Sequence, residues 1–140
     1  NYIQSSSERL TLYKKLSELK NEDELEIFRE QLYDRFGSPP KETEDLIESV
    51  KLKWIGSVLN FRKITLKNNK MLCYFPDQSE NKFFNSKEFI SILQLINTID
   101  GCKMKEKNIA NHKSLYVVFE NINTISKALE NLNRLQLIDN

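Results

Sequence analysis

Apolar positions in the first part of the chain recur at intervals of three and four. Leu10, Tyr13, Leu16 and Leu19, with Leu12 beside them, trace one face of a helix ending near Lys20. Leu25, Phe28, Leu32 and Phe36 trace the face of a second, and Leu46, Ile47, Val50, Trp54 and Val58 are assigned inward on a third. Trp54 reads as core bulk rather than as a ligand platform. Past Leu59 the period changes from 3.6 to 2. Phe61, Lys63 and Thr65 alternate with Arg62, Ile64 and Leu66, and Lys67-Asn68-Asn69-Lys70 makes a turn. Met71 to Phe75 returns as a second strand, which Pro76-Asp77 breaks, and a polar loop follows. Phe89, Ile92, Leu93 and Ile96 predict a fourth helix. Cys102, Met104 and Glu106 then alternate with Lys103, Lys105 and Lys107 in a strand with a basic face. After a turn over residues 108–113, Leu115 to Phe119 is β-branched and aromatic enough to be the strongest strand. Ile122, Ile125, Leu129 and Leu132 line a last helix. The predicted order is αααββαββα, an α+β fold in which two hairpins are each followed by a helix. It reads as a single domain over residues 1–140, with a helical half, 1–59, and a hairpin-and-helix half, 60–140.

Local signals sharpen these boundaries. Ser5 with Glu8 offers a capping box for the first helix, and Asn21 a cap for the second, whose first turn holds Glu22, Asp23 and Glu24. Gly37 supplies a left-handed stop, Pro39 and Pro40 forbid continuation, and Pro40 or Lys41 opens the third helix. Asn85 or Ser86 is the expected cap of the fourth helix, and Asn121 or Asn123 that of the last.

At 140 residues, 39% hydrophobic and 29% charged, the composition is that of one globular domain. The net charge of +1 argues for no overall nucleic-acid field. Residues 1–59 carry 9 Lys/Arg against 12 Asp/Glu, and residues 60–140 carry 12 against 8, an asymmetry too small to name a partner. With no apolar run of membrane-spanning length and no signal-peptide pattern, a soluble, cytoplasmic protein without a membrane partner is expected, monomeric in isolation. The chain starts at Asn1 rather than methionine and its apolar pattern only at Leu10, so it reads as a piece of a longer polypeptide. Cys73 and Cys102 sit in apolar strands and read as buried, reduced thiols.

Candidate chemistry is sparse. His112 is the lone histidine and lies in a polar turn, and with two separated cysteines it offers no zinc spacing. Gly37, Gly56 and Gly101 are the only glycines, so neither a phosphate loop nor a dinucleotide turn can be written. No nucleophile elbow occurs either. An enzyme is not expected, nor is a cofactor. A nucleic-acid-binding adaptor is the second reading: Lys103, Lys105 and Lys107 share a strand face, with Arg62, Lys63, Lys67 and Lys70 on the neighbouring hairpin. Against it, residues 102–107 carry no interleaved aromatics, and lysines also protect edge strands. Elimination leaves a module that docks on protein. Asp34 and Arg35, on the last turn of the second helix, are not both required by the local pattern: one reads as structural and the other as the candidate contact.

Three stretches carry a family resemblance: Ser7-Glu8-Arg9-Leu10-Thr11-Leu12-Tyr13-Lys14-Lys15-Leu16-Ser17, then Glu24-Leu25, then Leu32-Tyr33-Asp34-Arg35-Phe36-Gly37-Ser38-Pro39-Pro40. With the later Leu52-Lys53 pair, they resemble the C-terminal domain of the bacterial transcription-repair coupling factor over residues 2–64. The resemblance implies a parent that is a large ATP-dependent DNA translocase. That parent recognises and displaces stalled RNA polymerase and recruits the excision-repair protein UvrA through a UvrB-like module. It also implies that this domain has no ATPase motif, packs on the UvrB-like module and masks its UvrA-binding face. Where the family often has Glu three positions before the aspartate, this chain has Gln31. The implied docking residues are therefore Asp34, carrying most of the charge, with Glu30, Gln31 and Arg35 around it.

Overall fold

The computed structural model describes residues 6–77, 82–110 and 112–136. Close packing divides the chain into two compact units, Asn1–Lys51 and Leu52–Asn140.

The first unit holds α1 (Ser6–Glu18), α2 (Glu22–Phe36) and the first turns of α3 (Lys41–Val58). Ser5, the expected cap of α1, lies outside the described residues. Asn21 does cap α2: its side chain accepts from the Glu24 N–H at 2.9 Å, and the Glu24 carboxylate returns to the Lys20 N–H at 3.0 Å. These bonds satisfy donors that the helix start leaves open. At the other end the Gly37 N–H donates to the Tyr33 carbonyl at 2.7 Å. Gly37 has φ +83° and ψ −166°, so the stop is not the left-handed helical conformation expected but an extended region that essentially only glycine visits. Pro40 then offers its carbonyl to the N–H groups of Thr43 and Glu44, opening α3. Leu16, Leu25, Phe28, Leu32 and Ile47 are buried here.

Two expectations about helix faces need correction. On α1 only Leu16 is buried; Leu10 and Tyr13 are exposed. On α3 Leu46 and Val58 are exposed, whereas Leu52, not assigned inward, is buried. The α3 pattern misleads because this helix gives Ile47 to the first unit and Leu52 and Leu59 to the core of the second, so one stripe of constant phase does not describe it.

The second unit contains β1 (Lys63–Lys67), β2 (Lys70–Tyr74), a 3₁₀ turn (Lys82–Asn85), α4 (Lys87–Ile96), β3 (Cys102–Ile109), β4 (His112–Phe119) and α5 (Ile125–Asn133). The α+β order is as predicted. The two hairpins join in one four-stranded antiparallel sheet of order β1-β2-β4-β3, with Cys73 opposite Val117 at the central seam. Asn68 and Asn69 both have positive φ (54° and 60°), which turns the first hairpin in two residues. Ser86 caps α4, and Thr124, rather than either asparagine, caps α5 through the Lys127 N–H at 3.1 Å.

One sheet face, with Met71, Cys73, Cys102, Val117 and Phe119, is buried against Ile92 and Ile96 of α4 and Ala128 and Leu132 of α5. Phe75 anchors an aromatic group, with ring centroids 4.8 Å from Phe61, 5.7 Å from Phe83 and 5.4 Å from Phe89. Phe83 and Phe84 come from the 3₁₀ turn, in a stretch that reads from sequence as polar loop. Cys73 and Cys102 are free, buried thiols; burial pushes both up, Cys102 to about 12.

Candidate docking surface

Helix α2 turns Leu25, Phe28 and Leu32 inward, and helical geometry therefore gathers Glu30, Asp34 and Ile27 on the opposite arc, with Gln31 on its flank and Arg35, seven residues after Phe28, nearer the inward side at the helix end. All five are exposed. Their surroundings differ. Arg35 lies 3.6 Å from the Glu8 carboxylate on α1 and stacks over Phe36, 5.1 Å from its ring centre. Among the described residues the side chains of Asp34, Glu30 and Gln31 make no ion pair or hydrogen bond. Of the adjacent pair on the last turn, one thus has side-chain partners within the chain and the other has none among the described residues.

Apolar groups flank this arc. Ile27 and Tyr33 are more than half exposed on α2 itself, and Leu10 and Tyr13 are exposed on α1. A cleft of about 410 Å³ runs among the three helices, lined by Leu12, Tyr13, Leu16, Phe28, Leu32 and Leu46, with Arg9 and Glu42 also on its walls. Exposed apolar groups beside the exposed carboxylates of Glu30 and Asp34 have the composition of a protein contact.

The strongest electrostatic feature of the unit was not visible in the sequence. Arg29, only a quarter exposed, places Nη1 2.8 and 2.6 Å from the two Glu44 oxygens and Nη2 2.8 Å from Glu48. Burial pulls its pKa down, but the Glu48 hydrogen bond and the charges of Glu44, Glu48 and Glu26 outweigh this and leave it raised. Lys51 extends the network, 3.7 Å from both Glu48 and Glu22. This cluster binds α2 to α3; only Arg29 Nε, 3.7 Å from the Glu26 carboxylate, is buried without a hydrogen-bond partner among the described residues. Partners fifteen and nineteen residues away carry no periodic signal.

Elsewhere, Lys103, Lys105 and Lys107 are exposed on the sheet face opposite the core. His112 lies 3.7 Å from Asp77 at the hairpin end. Among the described residues no group of three or more His, Cys, Asp or Glu is placed to hold a metal ion, and no helix is long and apolar enough to cross a membrane.

The class defined is an α+β module: a three-helix unit with an exposed charged and apolar exterior, and an antiparallel sheet backed by helices. A family model described as the TRCF domain matches residues 1–86, and the chain belongs to that family, the C-terminal domains of transcription-repair coupling factors. The transcription-repair-coupling factor of Rickettsia conorii is 33% identical over 75 residues, 54% of this chain and 7% of that protein. That of Borreliella burgdorferi is 25% identical over 127 residues, 91% of this chain and 11% of that protein. The chain thus spans about a tenth or less of the length of these relatives. The crystal structure of the C-terminal domain of a transcription-repair coupling factor shares the fold, with a TM-score of 0.64 at 23% identity over 96% of this chain and 80% of that one.

Proposed function

We propose that this chain is a regulatory docking domain of an ATP-dependent DNA translocase that couples transcription to nucleotide excision repair in the bacterial cytoplasm. It carries no catalysis of its own. It packs on the UvrB-like module of its parent and masks the face that binds UvrA, holding the parent repressed until it engages stalled RNA polymerase on DNA. The observation that carries this reading is the state of Asp34 and Glu30. They lie four residues apart on α2, exposed and without partners among the described residues. Like charges at that spacing weaken a helix by a few tenths of a kcal/mol, and a carboxylate in the last turn also opposes the helix dipole. Local stability therefore disfavours both, and a basic partner surface accounts for them. Gln31 completes the contact and Arg35 bounds it.

The test is capture of UvrA by the full-length parent in the absence of polymerase. Asp34→Arg turns attraction at the docked face into repulsion, so the variant captures UvrA where the wild-type protein does so weakly. Equal, weak capture by both would remove Asp34 from any masking contact.

A further inference from the structure

The sheet of the second unit has a face turned away from that unit's core, and the proposed masking contact does not use it. Its composition follows from the strand register. Lys63, Tyr74, Tyr116 and Lys105 form one row straight across the four strands, and Thr65, Leu72, Val118 and Lys103 form the next. Lys67 and Lys70 pair at one end, and Lys107 lies opposite Ser114 at the other. The two central strands thus contribute the tyrosines, Leu72, the buried Val118 and Lys70, while the edge strands contribute the other five lysines. All six lysines are exposed. Only Lys70 has a carboxylate near it among the described residues, Glu120 at 3.5 Å.

The expectation that this basic face lacks aromatic interleaving is therefore corrected: the rings come from neighbouring strands, not from residues 102–107. Tyr74 and Tyr116 sit with ring centroids 5.2 Å apart and planes tilted by 30°. Arg62 and Lys63 stand over Tyr74, 5.7 and 5.6 Å from its centre. Among the described residues Tyr116 has no cation over its ring. Edge protection alone does not account for this layout. It would be served by charge of either sign on either face, whereas here the outer face of β1 and β3 holds lysines and no carboxylate, and Glu106 points to the other side.

We propose that this face binds single-stranded DNA. Lysines two apart on a strand stand about 6.8 Å from one another, a spacing that suits successive phosphates of an extended strand. Between the two lysine rows the tyrosine pair gives bases a surface to stack on, as sequence-tolerant binding requires. Apart from the tyrosine hydroxyls, the uncharged polar groups of this face are the Thr65 and Ser114 hydroxyls, and Ser114 faces Arg62 at 3.5 Å. Among the described residues no group on this face is fixed to read a ribose 2′-hydroxyl, so an RNA strand gains no contact there that DNA lacks.

Fluorescence anisotropy of a labelled single-stranded oligothymidylate of about a dozen nucleotides, titrated with the whole 140-residue chain, tests this. Binding is expected, weakening with salt at a log–log slope of about −0.7 for each phosphate neutralised. Tyr116→Ala should weaken it about ten-fold while Tyr116→Phe retains it. Lys103→Glu with Lys105→Glu should nearly abolish it. Lys87→Glu, on the helix backing the opposite face, should leave it unchanged, as should Asp34→Arg, which separates this site from the masking contact. The Lys103/Lys105 and Tyr116→Phe variants keep the test decisive if Tyr116→Ala does not fold. Absence of binding at low salt overturns the proposal, as does equal affinity of the folded Tyr116→Ala variant. So does displacement by polyglutamate as effective as by unlabelled oligonucleotide, which would assign the face to an acidic protein. Tighter binding of the matching RNA or of duplex DNA overturns the choice of single-stranded DNA.

Discussion

Arg29 grips Glu44 with both carboxylate oxygens within 2.8 Å of Nη1, joining α2 to α3 across the Gly37–Pro40 turn. Arg29→Ala would leave Glu44 and Glu48 facing each other, both partly shielded from water, with Lys51, 3.7 Å from Glu48, the cation left beside them. A loss of about 2 kcal/mol is expected, in the range of hydrogen bonds to charged groups. Replacing Arg29, Glu44 and Glu48 together by Met, Leu and Leu should cost much less, because no buried charge is then orphaned. Urea midpoints of the two variants check this; equal losses would show that the ion cluster is not what couples the helices.

Gly37 tests the turn itself. A Cβ there would meet nothing within 4 Å, so any cost of substitution is conformational. At φ +83° and ψ −166°, Gly37→Val should destabilise by about 2 kcal/mol. An unchanged denaturant midpoint would mean that the joint relaxes into another conformation.

The thiols give a pH signature. Both folded pKa values are raised by burial, so above the ordinary thiol range the unfolded chain loses protons that the folded chain keeps. Stability is untouched below about pH 8.5, and above that it falls by about 1.4 kcal/mol per pH unit for each thiol. For Cys102 the fall ends near pH 12. Cys73→Ala should flatten the slope. Native labelling by a thiol reagent should be slow at both sites and fast after unfolding; rapid native labelling would contradict their burial.

Phe75 is fully buried and packs against the rings of Phe61, Phe83 and Phe89. Phe75→Ala should cost about 3–5 kcal/mol, and Phe75→Leu well under half of that. Thermal unfolding measures both, and a small loss for alanine would show that the neighbouring rings collapse into the space.

What the sequence revealed divides along the range of the interactions involved. Asn21, Gly37, Ser86 and the Asn68-Asn69 turn announce themselves because a cap or turn is decided within four residues. Arg29 and its carboxylates could not be paired from spacing alone, because helix–helix packing chooses their partners. Phe83 and Phe84 were hidden by polar neighbours. Leu52 was missed because α3 changes the face it buries along its length. On the candidate surface, Asp34 and Arg35 were found together; which of them is held within the chain became visible only with Glu8 in place. The tyrosine pair emerged only once β2 and β4 were neighbours.

That adjacency of β2 and β4 also governs how fast the second unit can form. Each hairpin closes locally, on the microsecond scale typical of such turns. The seam that pairs residues 71–74 with 116–119 spans everything between the hairpins, α4 included, and must pay its loop-closure entropy before any of its contacts form. The slow step is therefore the meeting of two finished hairpins, and the length of chain between β2 and β4, more than any one contact on the seam, sets that barrier.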